Sequence, residues 1–167
     1  MTVFTWHDAP VPDGLAVRQV HGWLADTTGR VLIQDRRHEG KYLLPGGGSD
    51  SGDRDWAATL IRECAEESQV TLAPATITYL GHQVVTGGPG IPGGYVQVRM
   101  FAVIGTFEPV APDPDSGHEY RRLMTSIRTA SRLLNWGLPG ELQARAASRA
   151  ARQLGLPVDQ PIPDSYT

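Results

Sequence analysis

Apolar and polar positions change their spacing several times along this 167-residue chain, and each change marks a boundary between elements. Leu15 to Ala25 alternates loosely and reads as a strand. Asp26-Thr27-Thr28-Gly29-Arg30 collects turn formers, and Val31-Leu32-Ile33-Gln34 begins a return strand, so the pair predicts a hairpin. Tyr42-Leu43-Leu44 is a short strand that runs into the turn Leu44-Pro45-Gly46-Gly47-Gly48. From residue 55 to 68 the spacing becomes helical, with Ala57, Ala58, Ile61, Cys64 and Ala65 expected on the buried side. Thr76 to Val85 and Tyr95 to Phe107 read as long strands. Between them the Gly and Pro loop at 87–94 has almost no side chains to pack and is expected to border the pocket. A second loop, rich in Pro and Asp, spans 108–118. Ser126 to Trp136 and Gly140 to Leu154 are helical, parted by Gly137-Leu138-Pro139. In the last helix Leu142, Ala146, Ala150 and Leu154 form a stripe away from Arg145, Arg149 and Arg152. That stripe is expected to close the flank of the sheet, a homodimer contact being the sharper alternative. Residues 1–13, with Pro10 and Pro12, are expected to be an irregular arm, and 157–167 a C-terminal tail.

Strands, one helix, further strands and closing helices predict an α/β class, specifically an α/β/α sandwich around a mixed β-sheet. The length suits a single domain over residues 1–167 that buries about two-thirds of its unfolded surface. A net charge of −3 offers no general attraction to nucleic acid or anionic membrane. One cysteine excludes an internal disulfide, and no run approaches the roughly 18 apolar residues of a membrane span. Met1 to Trp6 lacks a basic segment followed by a long apolar one, so a cytoplasmic location is expected.

The residues of 62–67 carry the chemistry. On a helix, Glu63, Glu66 and Glu67 share about a third of the circumference. Crowding like charges costs a few tenths of a kcal/mol per pair. A hard divalent cation among the oxygens would offset that cost, since Mg²⁺ prefers carboxylates, waters and substrate phosphates. The bland alternative is a solvated acidic stripe. Gly46, Gly47 and Gly48 either let backbone approach a phosphate or metal, or make a tight strand-to-helix turn. Arg62 either orients a glutamate by a bidentate pair or forms a surface salt bridge worth under about 1 kcal/mol. Asp53 either pairs with Arg62, reaches a metal through water, or caps the helix.

The segment Gly47 to Val70 resembles the signature of the Nudix hydrolases, a Gly, five residues, a Glu, seven residues, then Arg-Glu-apolar-any-Glu-Glu-any-Gly-apolar. Arg62, Glu63, Cys64, Glu66, Glu67 and Val70 match its second half one for one. The first half departs from it: Asp53 stands for the first Glu, one residue is inserted before Arg62, and Gln69 replaces the late Gly. The resemblance implies a Nudix-like sandwich with a catalytic loop-helix-loop, and a metal held by Glu63, Glu66, Glu67 and a carbonyl of Gly47. It also implies a further carboxylate outside the signature, for which Glu119 is the candidate and Glu141 a weaker one. Glu66, Glu67, Arg62 and Glu119 are thus the candidate catalytic residues, and Arg36, Gly47, Gly48 and Tyr42 the candidate substrate contacts. Arg37 is a candidate phosphate contact together with Arg36, and Tyr95 a candidate base-stacking residue together with Tyr42; the bland readings are solvent exposure for the two arginines and packing on strand neighbours for the two tyrosines. Cys64, Trp23 and Trp56 are expected in the core, and His21, His38 and His82 to be structural or exposed.

The function expected is an Mg²⁺-dependent hydrolase, Mn²⁺ substituting, that splits the diphosphate of a nucleoside diphosphate joined to another moiety. The resemblance implies a nucleotide sugar, ADP-ribose, a dinucleotide or a nucleoside triphosphate, and the sequence selects none of them. The departures in the signature keep open a nucleotide-binding sensor or regulatory module. Processing of RNA ends lacks the basic groove it needs.

Overall fold

The computed structural model describes residues 1–88, 90, 93–158 and 160–167. Its elements are β1 (Val3–His7), β2 (Val17–Ala25), β3 (Arg30–Arg36), β4 (Lys41–Leu43), β5 (Gly46–Gly48), α1 (Trp56–Ser68), β6 (Val70–Leu72), β7 (Thr78–Thr86), β8 (Tyr95–Phe107), β9 (Arg121–Ser126), α2 (Ile127–Leu134), α3 (Gly137–Gln153) and β10 (Ser165–Tyr166). The strands form a mixed sheet in the order β1-β7-β8-β2-β3-β9-β10, with β2 parallel to β8 and the other neighbours antiparallel.

Alternation along β2 sends Trp23 and Ala25 to one face and Val20 and Leu24 to the other, as a period of two requires. Trp23, Ile33, Phe101 and Ala147 belong to the core on the side of α2 and α3. Leu24, Leu60, Cys64 and Met100 belong to the core on the side of α1. The expected α/β/α layering is present. Among the described residues one buried polar atom lacks a partner, the indole Nε1 of Trp23.

Several expectations need correction. The arm at 1–13 contains β1, which adds to the sheet edge through pairs from Val3↔Thr86 to His7↔His82. The tail contains β10, paired with β9 through Ser165↔Met124. Both ladders join segments far apart in sequence, so local patterning carries no sign of them. On α1 the buried stripe is Thr59, Leu60, Cys64 and Ser68, whereas Ile61 is 37% exposed and Ala65 is exposed. Glu63 and Glu67 therefore flank the buried stripe instead of facing away from it. Trp56 is exposed and leans on Tyr79 at 5.9 Å between ring centroids. On α3 the buried face is Gln143, Ala144, Ala146, Ala147, Ala150 and Ala151, with Leu154 exposed. Pro89, Ile91 and Pro92 lie outside the described residues, so the expectation for the 87–94 loop falls partly beyond them.

Candidate active site

The site forms where β2 and β3 separate. They pair at Leu24↔Leu32 and Ala25↔Val31 and then part. Beyond that point β4 pairs with β3 through Gln34↔Leu43, and β5 pairs with β2 through Val20↔Gly47 and His21↔Gly46. Leu44 and Pro45 bridge the gap, and Gly22 N–H donates to the Pro45 carbonyl at 2.9 Å. Glycine is needed twice in the bridge. Gly46 has φ 133°, and a Cβ there would strike the backbone of Val20 and His21. A Cβ on Gly47 would press into the carboxylate of Glu63. The backbone at Gly47 thus lies directly against a glutamate of α1.

Asp55 caps α1, its Oδ1 accepting from Ala58 N–H at 2.8 Å. The cap reading of Asp53 is therefore replaced by its pairing with Arg62. Arg62 Nε and Nη2 donate to Asp53 at 3.1 and 2.9 Å. Its Nη1 donates to Glu63 Oε1 at 2.9 Å and Glu66 Oε2 at 3.0 Å, and Nη2 also reaches the Gly48 carbonyl at 2.7 Å. This hydrogen bond from Arg62 drives the Asp53 carboxyl well below the usual range. Glu67 accepts from Gln34 Nε2 at 2.8 Å and Arg36 Nη2 at 3.1 Å. Burial raises the pKa of both Glu63 and Glu67, against the pull of Arg62 on the first and of Gln34 and Arg36 on the second.

Four carboxylates (Asp53, Glu63, Glu66, Glu67) meet two guanidinium groups (Arg62, Arg36) in these pairs. The group carries two uncompensated negative charges. Among the described residues no three acidic or imidazole groups are gathered as a finished metal cluster. Arg62 holds Glu63 and Glu66, and Arg36 holds Glu67, in ion pairs. The donors nevertheless fit a hard cation. Glu63 and Glu66 already share one positive nitrogen, Arg62 Nη1, at about 3 Å each, and glutamate oxygens with a nearby glycine backbone are the donor type Mg²⁺ takes.

The other candidates are placed as follows. Arg36 is engaged with Glu67 and Gln34 and lies over the Tyr120 ring at 3.7 Å. Arg37 is held by Asp35 and Tyr166. Tyr42 packs into the core beside α2 and α3, away from α1. Tyr95 is half-buried under Arg18 at 5.1 Å. Glu119 is exposed just ahead of β9. Glu141 is exposed on the far side of α3. Cys64 is fully buried, and its thiol is pushed well up by that burial. His82 is buried and bonded to Tyr79, while His38 is exposed.

Two acid-site residues went unread in the sequence. Gln34 points from β3 to both Glu67 and Ser68. Asp113, buried within the Pro and Asp loop, is the carboxylate whose charge adds to the rise at Glu67. Its Oδ1 accepts from Asp115 and Ser116 N–H at 2.7 and 2.8 Å, the mark of an Asx turn. The signal available was an acid between two prolines of that loop.

Among the described residues, two depressions beside the sheet differ in lining and width. The wider, about 1190 Å³, lies between α2, α3 and the C-terminal segment, far from the acids and lined by Arg128, Arg132, Arg145, Arg149 and Arg152 with Glu141. This basic face was not expected from the sequence. The narrower, about 560 Å³, includes Leu43, Leu44 and His21 and opens beside the glycine bend. Chemistry, not size, marks the glycine bend as the candidate site.

Comparison with known proteins bears on the family and the fold. The family model for the NUDIX domain matches residues 16–144. The fold is similar to that of the pyrophosphohydrolase BsRppH of Bacillus subtilis, at TM-score 0.55 and 18% identity over 71% of this chain and 68% of that one. It is similar to the mutator MutT protein of Bacillus halodurans, at 0.58 and 17% over 77% and 81%. The Ap4A hydrolase of C. elegans matches at 0.51 and 15% over 81% and 98%. Comparison with curated proteins gives no match. With a family model spanning most of its length and the signature acids set against the glycine bend, the chain belongs to the Nudix family.

Proposed function

We propose that this Nudix hydrolase cleaves the diphosphate of a nucleoside diphosphate joined to another moiety, with Mg²⁺ or Mn²⁺ bound by Glu63, Glu66, Glu67 and the Gly47 carbonyl. The observation that carries it is an acid group with a surplus of two negative charges, one of whose carboxylates, Glu63, is set against the Gly47 backbone. A divalent ion there would neutralise phosphate oxygens and acidify a bound water. The protein's own residues do the rest. Arg62 holds Glu63 and Glu66 in fixed orientations from one nitrogen. Glu67, made more basic by burial and steadied by Gln34 and Arg36, takes a proton from the attacking water at a carboxylate oxygen. The names of the similar structures, pyrophosphohydrolase and Ap4A hydrolase, agree with this class.

The test is release of nucleotide or phosphate from a panel of nucleoside triphosphates, dinucleotides, nucleotide sugars and ADP-ribose, with Mg²⁺ or Mn²⁺. Turnover of at least one compound, lost on chelation, is expected; a silent panel contradicts the reading. The sensor alternative draws on the ion pairs that already engage all three glutamates. Nucleotide binding without turnover of any compound would favour it.

A further inference from the structure

The cleft of about 560 Å³ beside the glycine bend has a charged floor that the acid site does not use. Arg99 on β8 is 2% exposed, yet no Asp or Glu pairs with it among the described residues. Its partners are neutral. Nε donates to Gln143 Oε1 at 3.0 Å and Nη2 to Gln97 Oε1 at 3.1 Å. Nη1 donates to the Val98 carbonyl at 3.3 Å and faces His21 Nδ1 at 3.4 Å. The Trp136 ring lies 5.4 Å away. Burial lowers the guanidinium to about 9, so it remains a cation at neutral pH. A buried charge with no counter-charge is costly unless something pairs with it.

The direction of every hydrogen bond around Arg99 follows from its chemistry, because a guanidinium donates and never accepts. Gln143 and Gln97 must therefore turn their oxygens toward it. The amide of Gln143 is then free to donate to Gln83 Oε1 at 3.0 Å, and that of Gln83 to Gln97 Oε1 at 2.8 Å, which closes a ring. Gln97 passes its own donor outward to Gln19 Oε1. Gln19, half-buried at the wall of the cleft, is left with its NH₂ pointing onward. The same logic fixes His21: Nδ1 accepts, so Nε2 carries the proton, and no described residue accepts from it. Burial, together with Arg99 and Arg36, keeps His21 neutral and hence in this donor form. The Gln19 amide and His21 Nε2 are thus N–H donors at the cleft for which no described residue supplies an acceptor.

We propose that this cleft receives an anionic oxygen group, a carboxylate or phosphate, on the part of the substrate beyond the scissile diphosphate, with Arg99 as counter-charge and Gln19 and His21 as specificity-determining donors. The location suits that role. His21 pairs with Gly46 across β2 and β5, and Leu44 leads into the bend that holds Gly47 against Glu63. One ligand lying along the bend can present its diphosphate to the acids and its outer group to the cleft. The inference rests on the hydrolase reading for the diphosphate half alone.

Binding is measured by equilibrium titration in EDTA, so that it needs no metal and no turnover. UDP-glucuronate is compared with UDP-glucose, and NADP⁺ with NAD⁺; each pair differs by one carboxylate or one phosphate. At least one acidic member should bind about tenfold more tightly than its neutral twin, as a charge-assisted contact requires. The pair that shows the preference distinguishes carboxylate from phosphate. Arg99→Gln should abolish that preference. Should that variant fail to fold, Gln19→Leu at the wall of the cleft must still narrow it about threefold. Equal binding within both pairs, absent binding included, overturns the proposal, and so does a preference that survives these variants. A preference without hydrolysis under Mg²⁺ would refute the hydrolase reading and leave the cleft standing; hydrolysis without preference would do the reverse.

Discussion

The acids of α1 and the arginine of the cleft are charged groups drawn out of water at opposite ends of one glycine bend. At α1 four carboxylates meet two guanidinium groups, so most of the charge is answered inside the protein and two negatives remain. In the cleft a single cation meets glutamine amides, a carbonyl and a neutral imidazole, so none of its charge is answered. Hydrogen bonds satisfy geometry in both places, but only the first uses counter-charge. What each region lacks is what a ligand would bring: a cation for one, an anionic group for the other.

Substitution can break this comparison, and the largest effect is expected at Glu67. Glu67→Gln should lower turnover at least about a hundredfold, the scale of a lost proton acceptor or metal ligand. Steady-state rates on any hydrolysed compound check this, and near-normal activity would remove Glu67 from the mechanism. Gly47→Ala comes next. Its Cβ displaces the mobile end of Glu63 instead of backbone, so turnover should fall about tenfold while the melting temperature changes little.

The pH dependence of metal-free stability separates the two regions more finely. Burial raises Glu67 above its unfolded value of 4.5, so its stabilising contribution is present below that pH and is lost as pH rises through the raised value. In EDTA, Glu67→Gln should therefore gain stability relative to the unsubstituted protein as pH rises from about 4 through the raised value. Arg99 titrates far higher, at about 9, so Arg99→Gln should show no such trend in the same window. Denaturant melts at several pH values read both. A parallel slope for the two variants would erase the distinction.

The smallest effects probe backbone and packing beside the acids. Gln69 ends α1 at φ 47°, ψ 48°, where the family signature has glycine. Its side chain partly offsets the strain: Nε2 donates to the Glu66 carbonyl at 2.7 Å and Oε1 accepts from Ala111 N–H at 3.2 Å. Gln69→Ala keeps the left-handed backbone and loses both bonds, so it should be less stable than Gln69→Gly by about 1 kcal/mol. Chemical denaturation decides the order. Trp23→Phe removes the orphan indole N–H of the core along with some packing, so its net effect should stay within about 1 kcal/mol.

Legibility in the sequence followed the range of the interactions. The helix at 55–68 and the glycine bend were readable because helical spacing and turn chemistry are local. β1 and β10 were not, because their partners lie in β7 and β9, far along the chain. β5 is three glycines, poor strand formers held by β2 alone in the ladder. The buried face of α1 was misjudged because small residues such as Ala57 and Ala65 tolerate either environment, whereas Leu60 and Cys64 set the stripe. The cleft left a faint mark. Gln97 and Arg99 alternate with Val96, Val98 and Met100 in a strand whose both faces are buried, and polar side chains there need partners. Those partners, Gln143, Gln83, Gln19 and His21, come from three other elements.

The central claim is that the acids beside Gly47 have room for a divalent cation despite their ion pairs. Electron paramagnetic resonance of Mn²⁺ titrated into the protein at neutral pH tests it most directly, with Glu63→Gln/Glu66→Gln as the comparison. The account expects at least one Mn²⁺ bound by the unsubstituted protein, weakened about tenfold or more in the double variant. Binding that is absent, or identical in both proteins, would contradict it.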